Sequence, residues 1–116
     1  QAGIMTGILS AGYEYGIRTI LESSGYVNCF DFFEANHLAE SGDKATVFNF
    51  NIYRNKAEVL LRLLEEKNLK PDRVAYMGDS LDDAGCFELV GYPIVSMVST
   101  EQQKKTICRE IQGLCP

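Results

Sequence analysis

The sequence predicts an α/β fold with a mostly parallel sheet, and the alternation of two kinds of segment favours that class. Short apolar runs alternate with longer stretches in which apolar residues recur at helical spacing. Strands that alternate with helices in this way are typical of parallel strands joined by helices. Because 116 residues with 46% hydrophobic content can bury one core, we predict a single domain over residues 1–116.

The first segments read as a strand followed directly by a helix. Residues 4–9 form an apolar run that ends at the turn signal of residues 10–12, so they predict a buried strand. Residues 13–24 carry apolar side chains at helical spacing, and Gly25 suits the left-handed position that closes many helices.

A second strand and a hairpin come next. Residues 30–35 predict the strand, and residues 41–43 separate two stretches, around Leu38 and Val47, that could pair as a small hairpin.

The second half repeats the alternation. Asn55 with Glu58 predicts the capped start of an amphipathic helix that ends before Pro71, and residues 74–77 predict a third strand. The remaining segments predict a short helix, a strand and a last helix at residues 81–90, 93–98 and 100–111.

Charge and composition restrict the partners. A net charge of −5 with no run of Lys or Arg argues against a nucleic-acid or anionic-membrane surface. No apolar stretch approaches the ~20 residues of a membrane span, so we expect a cytoplasmic protein. The four cysteines contain no C-x-x-C pair, and we expect reduced thiols at Cys29, Cys86, Cys108 and Cys115.

Candidate chemistry lies where polar residues follow predicted strands, because ligands of parallel sheets collect at the carboxyl ends of the strands. Ser10 could hold a phosphate oxygen or be only a turn residue. Asp79, Asp82 and Asp83 could bind Mg²⁺ or could be solvated carboxylates in a loop and the first turn of a helix. Lys56 could neutralise such a cluster or be a solvated surface lysine.

Taken in order, these segments resemble motifs two, three and four of the haloacid dehalogenase superfamily, most closely its phosphoserine-phosphatase-like branch. The resemblance runs from about residue 3 to residue 96. It rests on four stretches: GILSAG at residues 7–12, FEANHL at 33–38, NKAEVL at 55–60 and VAYMGDSLDD at 74–83.

The resemblance implies a Rossmann-like, three-layer fold that hydrolyses phosphate monoesters through an aspartyl-phosphate intermediate with Mg²⁺. Asp82 stands where this branch often has asparagine, so its role stays open. By the same resemblance, Ser10, Ala11 and Gly12 would bind the phosphoryl group. Lys56 would balance its charge, and Asp79 and Asp83 would bind the metal.

One family feature is missing. The first motif, Asp-x-Asp, supplies the nucleophile and the general acid/base, and the sequence contains no Asp-x-Asp. In the family its strand lies in the middle of the sheet, so its loss would expose the edges of two strands. We therefore expect an incomplete sheet, a chain that is inactive alone, and a fragment of a larger enzyme. The expected partners are a small phosphorylated metabolite and either the missing N-terminal segment or a second copy.

Two other readings remain. The chain could be a catalytically inactive relative that serves as a binding or regulatory module. A flavodoxin-like receiver domain also clusters acidic residues, but normally near the start of the chain. His37, the only histidine, is interpreted as structural.

Overall fold

The computed structural model describes residues 3–41, 44–48 and 52–96, together with Glu101 and Lys105. Two compact units, Gln1–Arg54 and Asn55–Pro116, make up the chain. The prediction of one domain over residues 1–116 stays a prediction. The helices and strands are β1 (Gly7–Tyr13), α1 (Glu14–Ser24), β2 (Phe32–Ser41), β3 (Lys44–Phe48), α2 (Ile52–Glu66), β4 (Ala75–Gly78), α3 (Ala84–Leu89) and β5 (Tyr92–Val95).

The first unit contains a three-stranded sheet in the order β1-β2-β3. β1 and β2 are parallel and are connected through α1, whereas β2 and β3 are antiparallel. Leu38 lies opposite Val47, so the predicted hairpin is confirmed. Gly25 closes α1 with a φ of 80°, as predicted from the sequence.

The first strand differs from its prediction. β1 begins at Gly7 and includes residues 10–12, which were predicted as a turn. The reason is an irregularity in the β1–β2 ladder. Leu9 pairs with Glu34, and the next pair is Tyr13 with Asn36, so extended backbone continues through a bulge. β1 is also half-buried rather than buried.

The second unit is built on α2 and the parallel pair β4–β5, which α3 connects. α2 spans Ile52–Glu66, but Asn55 within it has the non-helical angles φ −123° and ψ 29°, so a short helical turn precedes the longer helix whose start was predicted at Asn55. Asparagine competes with helical hydrogen bonding, which explains a break at this position. The buried apolar residues of this unit are Leu60, Leu63, Leu64, Cys86, Phe87 and Val90.

Phe87 is the centre of the core in this unit. It is 1% exposed and packs against Tyr76, Ala84 and Val95. The Tyr76 and Phe87 rings meet edge to face with centroids 5.7 Å apart. This contact anchors the middle of β4 to α3.

The end of the chain is only partly described. Glu101 and Lys105 are helical, and the rest of the predicted last helix lies outside the described residues, as do Cys108 and Cys115. Cys29 and Cys86 are free thiols. Within the described part, no helix combines the length and the apolar character needed to cross a membrane.

Gly91 is expected to be sensitive to a side chain. Its N–H donates to the Pro71 carbonyl over 2.9 Å, and an added Cβ would clash with the backbone carbonyl of Asp72. Gly91→Ala should lower the free energy of unfolding by about 1–3 kcal/mol in urea titrations.

Gly16→Ala is the control, because a Cβ at Gly16 meets nothing within 4 Å. It lies in α1, where alanine should be neutral or stabilise by up to about 1 kcal/mol. Equal stability of the two variants would contradict the packing described at Gly91.

Candidate active site

The loop after β4 is organised around the carboxylate of Asp83. Its Oδ2 accepts hydrogen bonds from the backbone N–H groups of Asp79, at 3.1 Å, and Ser80, at 3.2 Å. The Ser80 hydroxyl lies 3.2 Å from the same oxygen and also contacts Asp82. Ser80 and Asp83 thus form a capping box, which fixes the backbone between the strand and the helix.

Gly78 is what lets Asp83 approach the end of β4. A Cβ at Gly78 would overlap the Asp83 carboxyl group. Since this carboxylate is held by several hydrogen bonds, it could not move aside cheaply. Glycine at this position is therefore a requirement of the loop, beyond its place in the motif.

Lys56 is buried between two carboxylates. Its side chain is 8% exposed, and Nζ lies 2.8 Å from Asp83 Oδ1 and 2.9 Å from Asp82 Oδ2. Burial acts to lower the pKa of Lys56, but its hydrogen bonds to Asp83 and Asp82 outweigh burial and raise the pKa above 10.5. Lys56 is thus charged at neutral pH, and Asp82 is one of its two partners.

Tyr76 completes the network and was not singled out in the sequence. Its hydroxyl donates to Asp83 Oδ1 over 2.6 Å. Burial, followed by this hydrogen bond, raises the tyrosine pKa, so the hydroxyl remains a neutral donor. The available signal was a tyrosine inside an apolar strand, because a buried hydroxyl needs an acceptor and a cluster of carboxylates follows three residues later.

Asp83 is engaged on both oxygens. Burial acts to raise its pKa, but hydrogen bonds from Lys56 and Tyr76 outweigh it, and the pKa lies below its ordinary value of 3.8. Its predicted role as a metal ligand stays a prediction.

Of the three aspartates in this loop, Asp79 is the one whose carboxylate is not paired with Lys56. Its side chain is exposed, and among the described residues no hydrogen bond or ion pair engages it. The part of the chain that the structure describes contains no cluster of three metal-ligating side chains. Mg²⁺ requires fewer, since it is commonly held by one or two carboxylates together with waters and substrate oxygens.

Ser10 lies in the first unit, within the bulge of β1. Its Oγ accepts the N–H of Gly12 over 3.0 Å. Within the described residues the hydroxyl proton has no acceptor, so it can be donated to a ligand. The Ala11 carbonyl accepts a hydrogen bond from Asn36 over 2.7 Å.

Two other side chains bear on the chemistry. His37 Nδ1 contacts the carboxylate of Glu14, which also binds Arg18 at 2.8 Å. Its interpretation as structural stays a prediction. Burial raises the pKa of the Cys86 thiol to about 11, so it is protonated at neutral pH and does not replace a missing nucleophile.

The sequence model of the haloacid dehalogenase-like hydrolases matches residues 29–113, which is most of the chain and includes Lys56 and the Asp79 loop. The chain belongs to the haloacid dehalogenase-like hydrolase family. No curated protein sequence matches it.

Solved structures show the same fold. A family hydrolase from Salmonella enterica aligns with a TM-score of 0.69 at 19% identity, over 89% of this chain and 35% of that one. Substrate-bound phosphoserine phosphatase aligns at 0.67 and 23% identity, over 89% and 48% of the two chains.

A phospho-aspartyl intermediate analogue of phosphoserine phosphatase aligns at 0.66 and 19% identity, over 91% of this chain and 48% of that one. The chain therefore spans a third to a half of the structures that it matches, and its predicted α/β haloacid dehalogenase-like fold is confirmed.

The pKa of Asp83 predicts a loss of stability in acid. Because its pKa is lowered by folding, its contribution is present above the unfolded value of 3.8 and is lost as pH falls through the lower folded pKa. In urea unfolding from about pH 7 to pH 2, Asp83→Asn should be less stable than the parent near neutrality, and the difference should shrink in acid.

Asp72→Asn is the control, because Asp72 is exposed. It should differ little from the parent at any pH. A pH-independent difference between the parent and Asp83→Asn would mean that the carboxylate charge does not stabilise the loop.

Proposed function

We propose that this chain is the part of a magnesium-dependent phosphomonoester hydrolase that holds the phosphate and the metal. The reaction would pass through an aspartyl-phosphate, and the nucleophilic aspartate would lie outside the chain. The observation that carries the proposal is the buried ammonium of Lys56 between Asp82 and Asp83, since Asp83 also binds the backbone N–H of Asp79, whose carboxylate is exposed.

The charges of this loop favour a cation. The loop carries three carboxylates, and the single ammonium of Lys56 pairs with two of them, Asp82 and Asp83, so a net negative charge remains that a divalent ion would offset. The oxygen donors of Asp79 suit Mg²⁺, and Asp83 supports Asp79 by binding its backbone N–H. When bound, Mg²⁺ would neutralise charge on the phosphoryl oxygens.

Lys56 and Ser10 have groups left to bind a phosphoryl group. An ammonium has three N–H donors, and two of those on Lys56 are directed at Asp82 and Asp83. The third is available for a phosphoryl oxygen, where it would stabilise the charge of the transition state. In the first unit, the Ser10 hydroxyl is the group that we propose for donating a hydrogen bond to a phosphoryl oxygen.

Exposed strand edges support a nucleophile that comes from another segment. Among the described residues, β1 pairs only with β2 and β4 pairs only with β5, so each has one unpaired edge. Parallel strands are usually covered on both faces, yet Met77 is 65% exposed and Tyr92 is 63% exposed. A strand bearing Asp-x-Asp could pair with such an edge and bring its carboxylates to the site.

The proposed substrate is a small phosphorylated metabolite, and the proposed location is the cytoplasm. Two of the similar structures are of phosphoserine phosphatase, and no described residue of this chain distinguishes the leaving group of phosphoserine from others.

A catalytically inactive binding or regulatory module is the second candidate. The absence of Asp-x-Asp from the sequence favours it, since the network of Lys56, Tyr76 and Asp83 would still hold a cation-binding loop. The two candidates differ in whether a segment with the first motif completes the enzyme.

The test measures Mg²⁺ binding by calorimetry and hydrolysis of an aryl phosphate ester. The chain should bind Mg²⁺, and Asp79→Asn should weaken binding about tenfold or more, because even loss of an outer-shell partner commonly costs about 10–100-fold. Asp72→Asn, which also removes one exposed carboxylate, is the matched control and should bind as the parent does.

Hydrolysis should appear only when the chain is joined to or mixed with the segment that its gene encodes before it. Cation binding without hydrolysis in either case would favour the regulatory module. Unchanged Mg²⁺ affinity in Asp79→Asn would rule out the proposed metal site.

A further inference from the structure

The Ser10 segment lies in a break of the β1–β2 ladder. Leu9 is opposite Glu34 and Tyr13 is opposite Asn36, so three residues of β1 face the single residue Ala35 of β2. Regular ladder hydrogen bonds cannot be made across such a bulge. The conformation of residues 10–12 must therefore be set by other groups.

Asn36 supplies one of those groups from the neighbouring strand. Its Nδ2 donates to the Ala11 carbonyl over 2.7 Å, and the residue is 7% exposed. The hydrogen bond replaces a backbone interaction that the bulge removes. Inside the segment, Ser10 Oγ accepts the N–H of Gly12, so the two hydrogen bonds together fix the position of the Ser10 side chain.

A second observation separates Asn36 from ordinary core residues. Its Oδ1 is buried and has no hydrogen-bond partner among the described residues. A buried acceptor without a partner is destabilising, so part of what the Nδ2 hydrogen bond gains is lost at Oδ1. An apolar residue of similar size would avoid the cost at Oδ1 but would leave the Ala11 carbonyl without its donor, so the net structural gain from asparagine is small.

We infer that Asn36 is a positioning residue, which holds the bulged segment of residues 10–12 so that the Ser10 hydroxyl is presented to a phosphoryl group. The inference rests on the proposed function and deepens it, because it adds a residue of β2 to the phosphate site. Asn36 would not contact the phosphate. It would act through Ala11 on Ser10.

The inference predicts that Asn36→Leu weakens phosphate binding without loss of stability. Leucine has a similar size, and it removes both the Nδ2 donor and the unpaired Oδ1. In the protein at the length that its gene encodes, the dissociation constant for inorganic phosphate should rise about 2- to 10-fold, the range expected for one hydrogen bond. The urea midpoint should change little, because the cost at Oδ1 that leucine removes offsets the donor that the Ala11 carbonyl loses, and kcat/KM should fall with the affinity.

Ser10→Ala and the double variant show whether Asn36 acts through Ser10. If it does, Asn36→Leu should have little further effect on phosphate affinity in the Ser10→Ala background, since the positioned group is gone. Asn28→Leu, at an exposed asparagine of the same unit, is the control and should leave affinity unchanged. Asn36→Asp, which keeps the side-chain shape but has no donor, is used if Asn36→Leu does not fold.

The outcomes separate this inference from the proposed function. Loss of affinity in Asn36→Leu that disappears in the Ser10→Ala background supports the inference. Unchanged affinity in Asn36→Leu, or effects of the two changes that add, overturns it while the phosphate site stands. Failure of the parent protein to bind phosphate overturns the proposed function itself.

Discussion

The buried ion pair between Lys56 and Asp83 is the interaction on which the site depends. Lys56 is taken out of water by α2 and Asp83 by the turn before α3, and each charge would be costly without the other. The second oxygen of Asp83 accepts hydrogen bonds from the backbone N–H groups of Asp79 and Ser80, so the ion pair also fixes the backbone of the loop. A single carboxylate thereby connects the lysine helix to the loop that presents Asp79.

Such a pair is better explained by specificity than by stability. Burial of two charges commonly costs about as much as their attraction returns, so apolar residues could stabilise the same space equally well. The charged pair, however, fixes the loop backbone through the second oxygen of Asp83 and holds Lys56 against both Asp82 and Asp83. Tyr76 adds a neutral donor to the same carboxylate, which holds its charge in place without neutralising it.

Much of the fold followed from local patterns in the sequence. The left-handed glycine after α1, the hairpin of β2 and β3 and the strand before the acidic loop are all decided by neighbours close in sequence. The bulge in β1 could not be predicted in this way, because it depends on the register with β2 and on the side chain of Asn36. The short helical turn before the kink at Asn55 in α2 was not predicted from the sequence either.

The residue types of the candidate site could be predicted from the sequence, but the contacts between them could not. A lysine and three aspartates in family order predicted a metal and phosphate site. Sequence order could not show that both Asp83 oxygens accept hydrogen bonds, whereas the Asp79 side chain is exposed and makes no contact among the described residues. Nor could it show that Asp82 is paired to Lys56. These distinctions arise from packing between α2, β4 and α3, which are far apart along the chain.

A double-mutant cycle between Lys56 and Asp83 tests the central claim most directly. The free energy of unfolding in urea would be measured for the parent, Lys56→Met, Asp83→Asn and the double variant. Each single change should cost about 3–5 kcal/mol, because it removes the oppositely charged partner from a buried ion pair, and the double variant should cost less than their sum by about 1–3 kcal/mol. Effects that add to within about 0.5 kcal/mol would show that the two residues are independent and would contradict this account.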